Sequence, residues 1–164
     1  MIKRMLIFVL FLQTAHAQNA ETNIHALLNQ WHAAAAQAQF ENYFKPLHKD
    51  FIFMGTDATE RWDMAAFKAF AKPYFDKGKA WSFTTLERKV YVTSDGNYAW
   101  FDELLQTQMK ICRGSGVLLK TNNQWQLVQY VLSVTVPNDC IDAAIKIKAP
   151  IEDALIESLR NKKQ

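Results

Sequence analysis

Asp57 and Glu60 stand three residues apart in the stretch FIFMGTDATERWD, residues 51–63, with Trp62 beside them. Four more side chains capable of chemistry follow: Arg88, Glu103, Arg113 and Tyr130. Two carboxylates held close together divide acid and base work when their surroundings separate their pKa values. In such a site Asp57 or Glu103 abstracts a proton next to a carbonyl, and Tyr130 or Arg113 steadies the developing enolate oxygen. A plainer arrangement uses the same residues. Arg88 or Arg113 then serves as the internal ion-pair partner of Glu103 or Asp57, and Trp62 covers an apolar mouth. Arg113 is the single charge between Lys110 and Lys120, and a lone arginine in a central strand calls for a carboxylate or a ligand anion. Residue types alone leave both arrangements open.

Other chemistries lack their residues. Of four histidines, His16 lies in the N-terminal leader and His25, His32 and His48 all fall before the first strand motif. No Ser-His-Asp order, paired H-x-x-x-H, CxxC or glycine-rich phosphate loop occurs, so neither a metal nor a cofactor is expected. His25 and His32 are seven residues apart, and structural polar roles suit both. Two cysteines, Cys112 and Cys140, are too few for a staple-dependent scaffold. A bridge between them and two free thiols both fit an exported protein.

The chain begins MIKRMLIFVLFLQTAHA, with Lys3 and Arg4, an apolar run from Met5 to Leu12, and an Ala15-His16-Ala17 end. This is a secretory signal, residues 1–17, cut before Gln18. Its apolar run is too short for a bilayer, which needs roughly twenty residues. The expected location is therefore the periplasm or outside the cell. The leader carries two of the nineteen basic residues and no acid, which leaves seventeen basic against sixteen acidic. A balance of +1, without a lysine or arginine block, argues against nucleic acid and against an anionic membrane as partner. The remaining length suits one domain with one core.

The elements that must position these side chains read as three helices, a short strand and four long strands. Ile24, Leu27, Leu28, Trp31 and Ala35 recur at helical spacing over 24–38, and Phe40, Tyr43, Phe44 and Leu47 share a face over 40–48. Asp63 suits the cap of a helix over 64–76, whose Phe67, Phe70, Ala71, Tyr74 and Phe75 form one stripe that Gly78 ends. From Trp81 the period becomes two. Asp95-Gly96 marks one hairpin, with a two-residue type I′ turn, and Asn122-Asn123 marks another. The first register sets Arg88 opposite Glu103, Lys89 opposite Asp102 and Tyr91 opposite Trp100. One face then carries Leu86, Arg88, Val90, Phe101, Glu103 and Leu105. The other carries Phe83, Glu87, Lys89, Tyr91, Trp100, Asp102 and Leu104, and is too apolar to be fully wet. In the second hairpin Arg113 faces Leu132 and Ser115 faces Tyr130. A bulge near Gly114 and Gly116 would shift these pairs by one.

Taken together, FIFMGTDATERWD, AFAKPYFDKGKAW, AWFDELL, CRGSGVLLK and QYVLSVTVPND resemble the exported bacterial branch of the SnoaL-like group within the nuclear-transport-factor-two-like superfamily. The resemblance covers about residues 24–139. It implies an α+β fold, a cone-shaped roll with N-terminal helices packed on a strongly curved antiparallel sheet, often a homodimer through its outer face. The expected organisation is a signal peptide (1–17), the cone-shaped domain (18–139) and a C-terminal helical extension (140–164) in which Pro150 begins a helix. Asp57, Glu60, Trp62, Arg88, Glu103, Arg113 and Tyr130 are expected around one cavity that holds a small organic molecule. The leading reading is a periplasmic small-molecule-binding protein. The alternatives are a cofactor-independent isomerase, cyclase or dehydratase, and a noncatalytic homodimeric interaction domain.

Overall fold

The computed structural model describes the backbone of residues 2–162 and the side chains of residues 18–162. The expected leader, residues 1–17, lies outside the described side chains. Helix α1 (Ile2–Ala36) turns Ile24, Leu28, Trp31 and Ala35 inward as the spacing requires, and ends where Ala38 takes a positive φ of 52°. The short α2 (Phe40–Phe44) stops before Pro46, and β1 (Leu47–Met54) begins immediately after it. The helix expected over 40–48 is thus shorter and the strand longer. Pro46 brings no amide hydrogen to continue the helix, and the chain turns into the strand there although Lys45 itself keeps helical geometry.

A strand the sequence reading did not separate, β2 (Arg61–Asp63), returns antiparallel to β1, with Phe53 opposite Trp62. Helix α3 (Met64–Asp76) follows directly, its first turn closed by Asp63 Oδ1 accepting from the Ala66 amide at 2.8 Å. The long strands are β3 (Thr84–Val92), β4 (Tyr98–Thr107), β5 (Lys110–Thr121) and β6 (Gln124–Val134). The sheet is curved and unclosed, in the order β2-β1-β6-β5-β4-β3, and β1–β6 is its parallel pairing.

The turns hold the expected registers for different reasons. Asn122 and Asn123 both have positive φ, at 50° and 62°, as a type I′ turn demands. The other loop is longer than the two-residue turn expected. Only Gly96 is left-handed there, and Thr93 N donates to Tyr98 O. Because the longer loop is centred on the same point, Arg88 still faces Glu103 and Tyr91 still faces Trp100.

Bulges then correct two expectations. An irregularity between Thr85 and Glu87 leaves Leu86 half exposed instead of inward, and Phe83 packs against the core instead of the outer face. A slip of one residue past the bulge flips the side-chain alternation. The second irregularity, between Val117 and Leu118, sets Arg113 opposite Ser133 and Gly116 opposite Tyr130.

The described residues divide into two compact units, with the boundary after Val134. The second contains a 3-10 turn (Asn138–Cys140) and helix α4 (Ile141–Asn161). Pro150 lies inside α4 instead of starting it, since a proline inside a helix can kink it without ending it. Lys148–Glu152 and Arg160–Glu157 pair along its surface. Both cysteines are free, Cys112 buried and Cys140 exposed.

Candidate functional site

The alternation of β4 turns Ala99, Phe101, Glu103, Leu105 and Thr107 to the buried face. A carboxylate there must be paired. Glu103, 1% exposed, has partners on both oxygens. Oε1 accepts from His32 Nε2 at 2.9 Å and from the Tyr130 hydroxyl at 2.9 Å, while Oε2 accepts from Arg88 Nε at 2.8 Å. Because a carboxylate only accepts, His32 carries its proton on Nε2. Arg88 is itself anchored by Asn29 Oδ1 at 2.8 Å and Thr85 Oγ1 at 3.0 Å. Burial pushes the Glu103 carboxyl upward. The His32 hydrogen bond and the positive fields of His32 and Arg88 outweigh it, so the group rests below its ordinary value. Burial and the Glu103 charge hold the Tyr130 hydroxyl well above its usual range.

The glycines of CRGSG make this network possible. A Cβ on Gly114 would come 2.2 Å from the Tyr130 hydroxyl, and one on Gly116 would come 2.6 Å from the Phe101 ring. Backbone without side chain at Gly114 lets the Tyr130–Glu103 hydrogen bond form.

In front of the network lies an aromatic cavity of about 620 Å³. Phe53 and Phe83 contribute to its lining and pack against the Tyr130 and His32 rings, at 5.9 and 6.0 Å between centroids. The network itself does not line the cavity. Trp62 stacks on Phe70 at 4.2 Å, and Tyr74 and Trp81 complete the aromatic side. Glu60 and Lys79 are the charged residues of the wall. A larger hollow, about 760 Å³, lies among α1, the Lys45-Pro46 segment and the β5–β6 turn. Amide side chains dominate its lining, and several bond to one another, as Asn42 does to Gln39 and Gln39 to Gln37. An aromatic cavity is the better ligand site, because burying apolar surface supplies the driving force for binding.

The seven expected site residues therefore do not surround one space. Glu60 and Trp62 line the aromatic cavity. Arg88, Glu103 and Tyr130 form the sealed network behind it. Asp57 is exposed and spends its carboxylate on its own loop, where Oδ1 accepts from the Thr59 amide at 2.8 Å and from the Thr59 hydroxyl. Those bonds lower its pKa. Arg113 is exposed on the opposite face, since its strand neighbours Cys112 and Gly114 are the buried ones. Of the groups expected for proton abstraction, Glu103 and Tyr130 do meet, but they bond to each other and do not line the cavity, and Asp57 and Arg113 lie apart from them. His32 was missed as the third partner of Glu103 because it arrives from α1. Its helical spacing from Leu28 and Ala35 was the available signal. Among the described residues no cluster of His, Cys, Asp and Glu is arranged to hold a metal ion.

With this geometry the family can be assigned. A SnoaL-like domain model matches residues 24–137. The chain belongs to the SnoaL-like domain family. Similar solved structures agree on the fold. An NTF2-like protein of unknown function from Pseudomonas putida KT2440 is 15% identical with a TM-score of 0.63, over 75% of this chain and 92% of that one. A cystatin-like domain of unknown function from Nostoc punctiforme is 17% identical with a TM-score of 0.62, over 89% and 98%. The association domain of C. elegans CaMKII is 16% identical with a TM-score of 0.58, over 71% and 97%. A comparison with curated proteins gave no match. For this SnoaL-like chain the likenesses establish architecture, and its own side chains must carry the functional argument.

Proposed function

We propose that this SnoaL-like protein is exported and binds a small, largely apolar organic molecule in the aromatic cavity. The cavity itself carries the reading, because seven aromatic side chains line a hollow of about 620 Å³ in which Glu60 is the sole carboxylate. Its size suits a small ligand. Export rests on the leader sequence, and N-terminal sequencing of protein from a periplasmic fraction should begin at Gln18. Binding is tested with the neutral dye N-phenyl-1-naphthylamine, whose emission rises in apolar surroundings. One dye per chain is expected. The rim substitutions Thr56→Trp and Ser82→Trp should abolish uptake without lowering the unfolding midpoint. No uptake, or uptake unchanged by both substitutions, overturns the reading.

A second reading concerns the outer sheet face. Tyr91 and Trp100 stack there at 5.4 Å with 42% and 48% of their surfaces exposed, and Tyr98 is 50% exposed beside them. Aromatic rings grouped on one face suit an interface, and self-association would cover them. Sedimentation of the protein should give a dimer, and Trp100→Glu a monomer with the same dye uptake. A monomer before substitution rejects this reading alone.

A further inference from the structure

The chemistry of Glu60 narrows the ligand, on the premise that the aromatic cavity is a binding site. The Gly55–Glu60 loop folds the Glu60 side chain back onto Gly55, so closely that a Cβ there would meet Oε2 at 2.0 Å. Gly55 N donates to Glu60 O at 2.9 Å, which fixes the loop in that shape. The carboxylate is half-buried, and the hydrogen bond it accepts is a long one, from the Asp57 amide at 3.3 Å. No lysine, arginine or histidine pairs with it among the described residues. Lys79, the other charged residue of the wall, is exposed and makes no ion pair with Glu60.

We infer that the cavity takes a hydrophobic ammonium, its apolar body against the aromatic walls and its cationic nitrogen against Glu60. Glu60 and the ring faces both favour that charge, while the exposed and solvent-screened Lys79 opposes it weakly. A carboxylate in the wall of an aromatic cavity loses hydration when a ligand enters, and a cation restores what a neutral group cannot. The ring faces are negative at their centres and attract the same cation. A neutral apolar ligand of equal shape fills the space but leaves the carboxylate uncompensated, and an anion is repelled by it. Gly55 belongs to the device, because any side chain there would displace the carboxylate.

Phenyltrimethylammonium and tert-butylbenzene have nearly the same shape and differ in charge, so the pair isolates the contribution of Glu60. Protein-observed NMR titration of the intact protein reads both affinities and the location of each probe. We expect the cation to bind about tenfold more tightly. Glu60→Gln should remove most of that preference, leaving the smaller share due to the rings, with tert-butylbenzene unchanged, and Glu60→Asp should retain more of it. Added salt should weaken the cation alone. Equal affinities, or a preference undiminished by Glu60→Gln, overturn the ammonium assignment and leave the cavity standing as a site. Binding of neither probe overturns the binding-site reading beneath it.

Discussion

Glu103 and Glu60 are the same residue type on neighbouring parts of one fold, and their surroundings give them opposite tasks. Glu103 is sealed from water, and His32, Tyr130 and Arg88 engage both its oxygens. Glu60 lines an open aromatic cavity with one long main-chain hydrogen bond. A buried charge whose lone pairs are all used fixes the packing around it and has nothing left to offer a ligand. A half-buried charge with spare capacity adds little to folding and is available for recognition. Stability should therefore respond steeply to changes at Glu103 and hardly at all to changes at Glu60, while binding should respond in the reverse order.

The largest effect is expected from Glu103→Ala. It strands the Arg88 guanidinium, the His32 N–H and the Tyr130 hydroxyl without their acceptor, at a cost of about 3–5 kcal/mol. Urea unfolding measures it, and a loss below about 1 kcal/mol would show that water or new partners replace the carboxylate. Acid gives the same test without substitution. Since the folded-state pKa of Glu103 lies below its ordinary value of 4.5, the folded state binds this proton less readily than the unfolded chain. The stabilisation is full above the ordinary value and is lost as pH falls through the lower folded one. Glu103→Gln should flatten that part of the stability profile.

A smaller effect tests the space around the network. Gly114→Ala places a methyl against the Tyr130 hydroxyl and should cost about 1–3 kcal/mol. Tyr130→Phe alone removes one hydrogen bond, worth about 1 kcal/mol. Combining the two should cost less than the sum of the separate losses, because the clashing oxygen is gone. Additive losses in a double-mutant cycle would mean that the glycine serves its strand and not the Tyr130–Glu103 bond.

The contrast between the two glutamates was only half legible in the sequence. Period-two patterning and the complementary charges set Arg88 against Glu103, and the structure has that pair in register with side chains joined. Capping by Asp63 was equally plain, because it depends on a contact three residues away. What failed depended on parity or on distance. The bulge at Leu86 moved Phe83 inward to the cavity, and nothing local in TTLER announces a bulge. Arg113 was placed in the pocket for being a lone charge, yet alternation with Cys112 and Gly114 turns it outward. His32 reaches Glu103 across 71 residues, a contact that helical spacing permits but does not specify. Asp57 and Glu60 share a loop, and only its hydrogen bonds show that one carboxylate closes the turn while the other meets the cavity.

The smallest expected effect is the most informative for this comparison. Glu60→Gln keeps the side-chain shape, leaves the Gly55–Glu60 main-chain bond in place and preserves an oxygen for the Asp57 amide. Unfolding should shift by no more than about 0.5 kcal/mol, the ordinary range for a substitution away from core and network. A loss of several kcal/mol would instead make Glu60 a second structural carboxylate and close the gap between the two sites. If stability holds while most of the preference for a cation is lost, the division stands. The carboxylate behind Phe53 and Phe83 then maintains the cone, and the one at its mouth reads what enters.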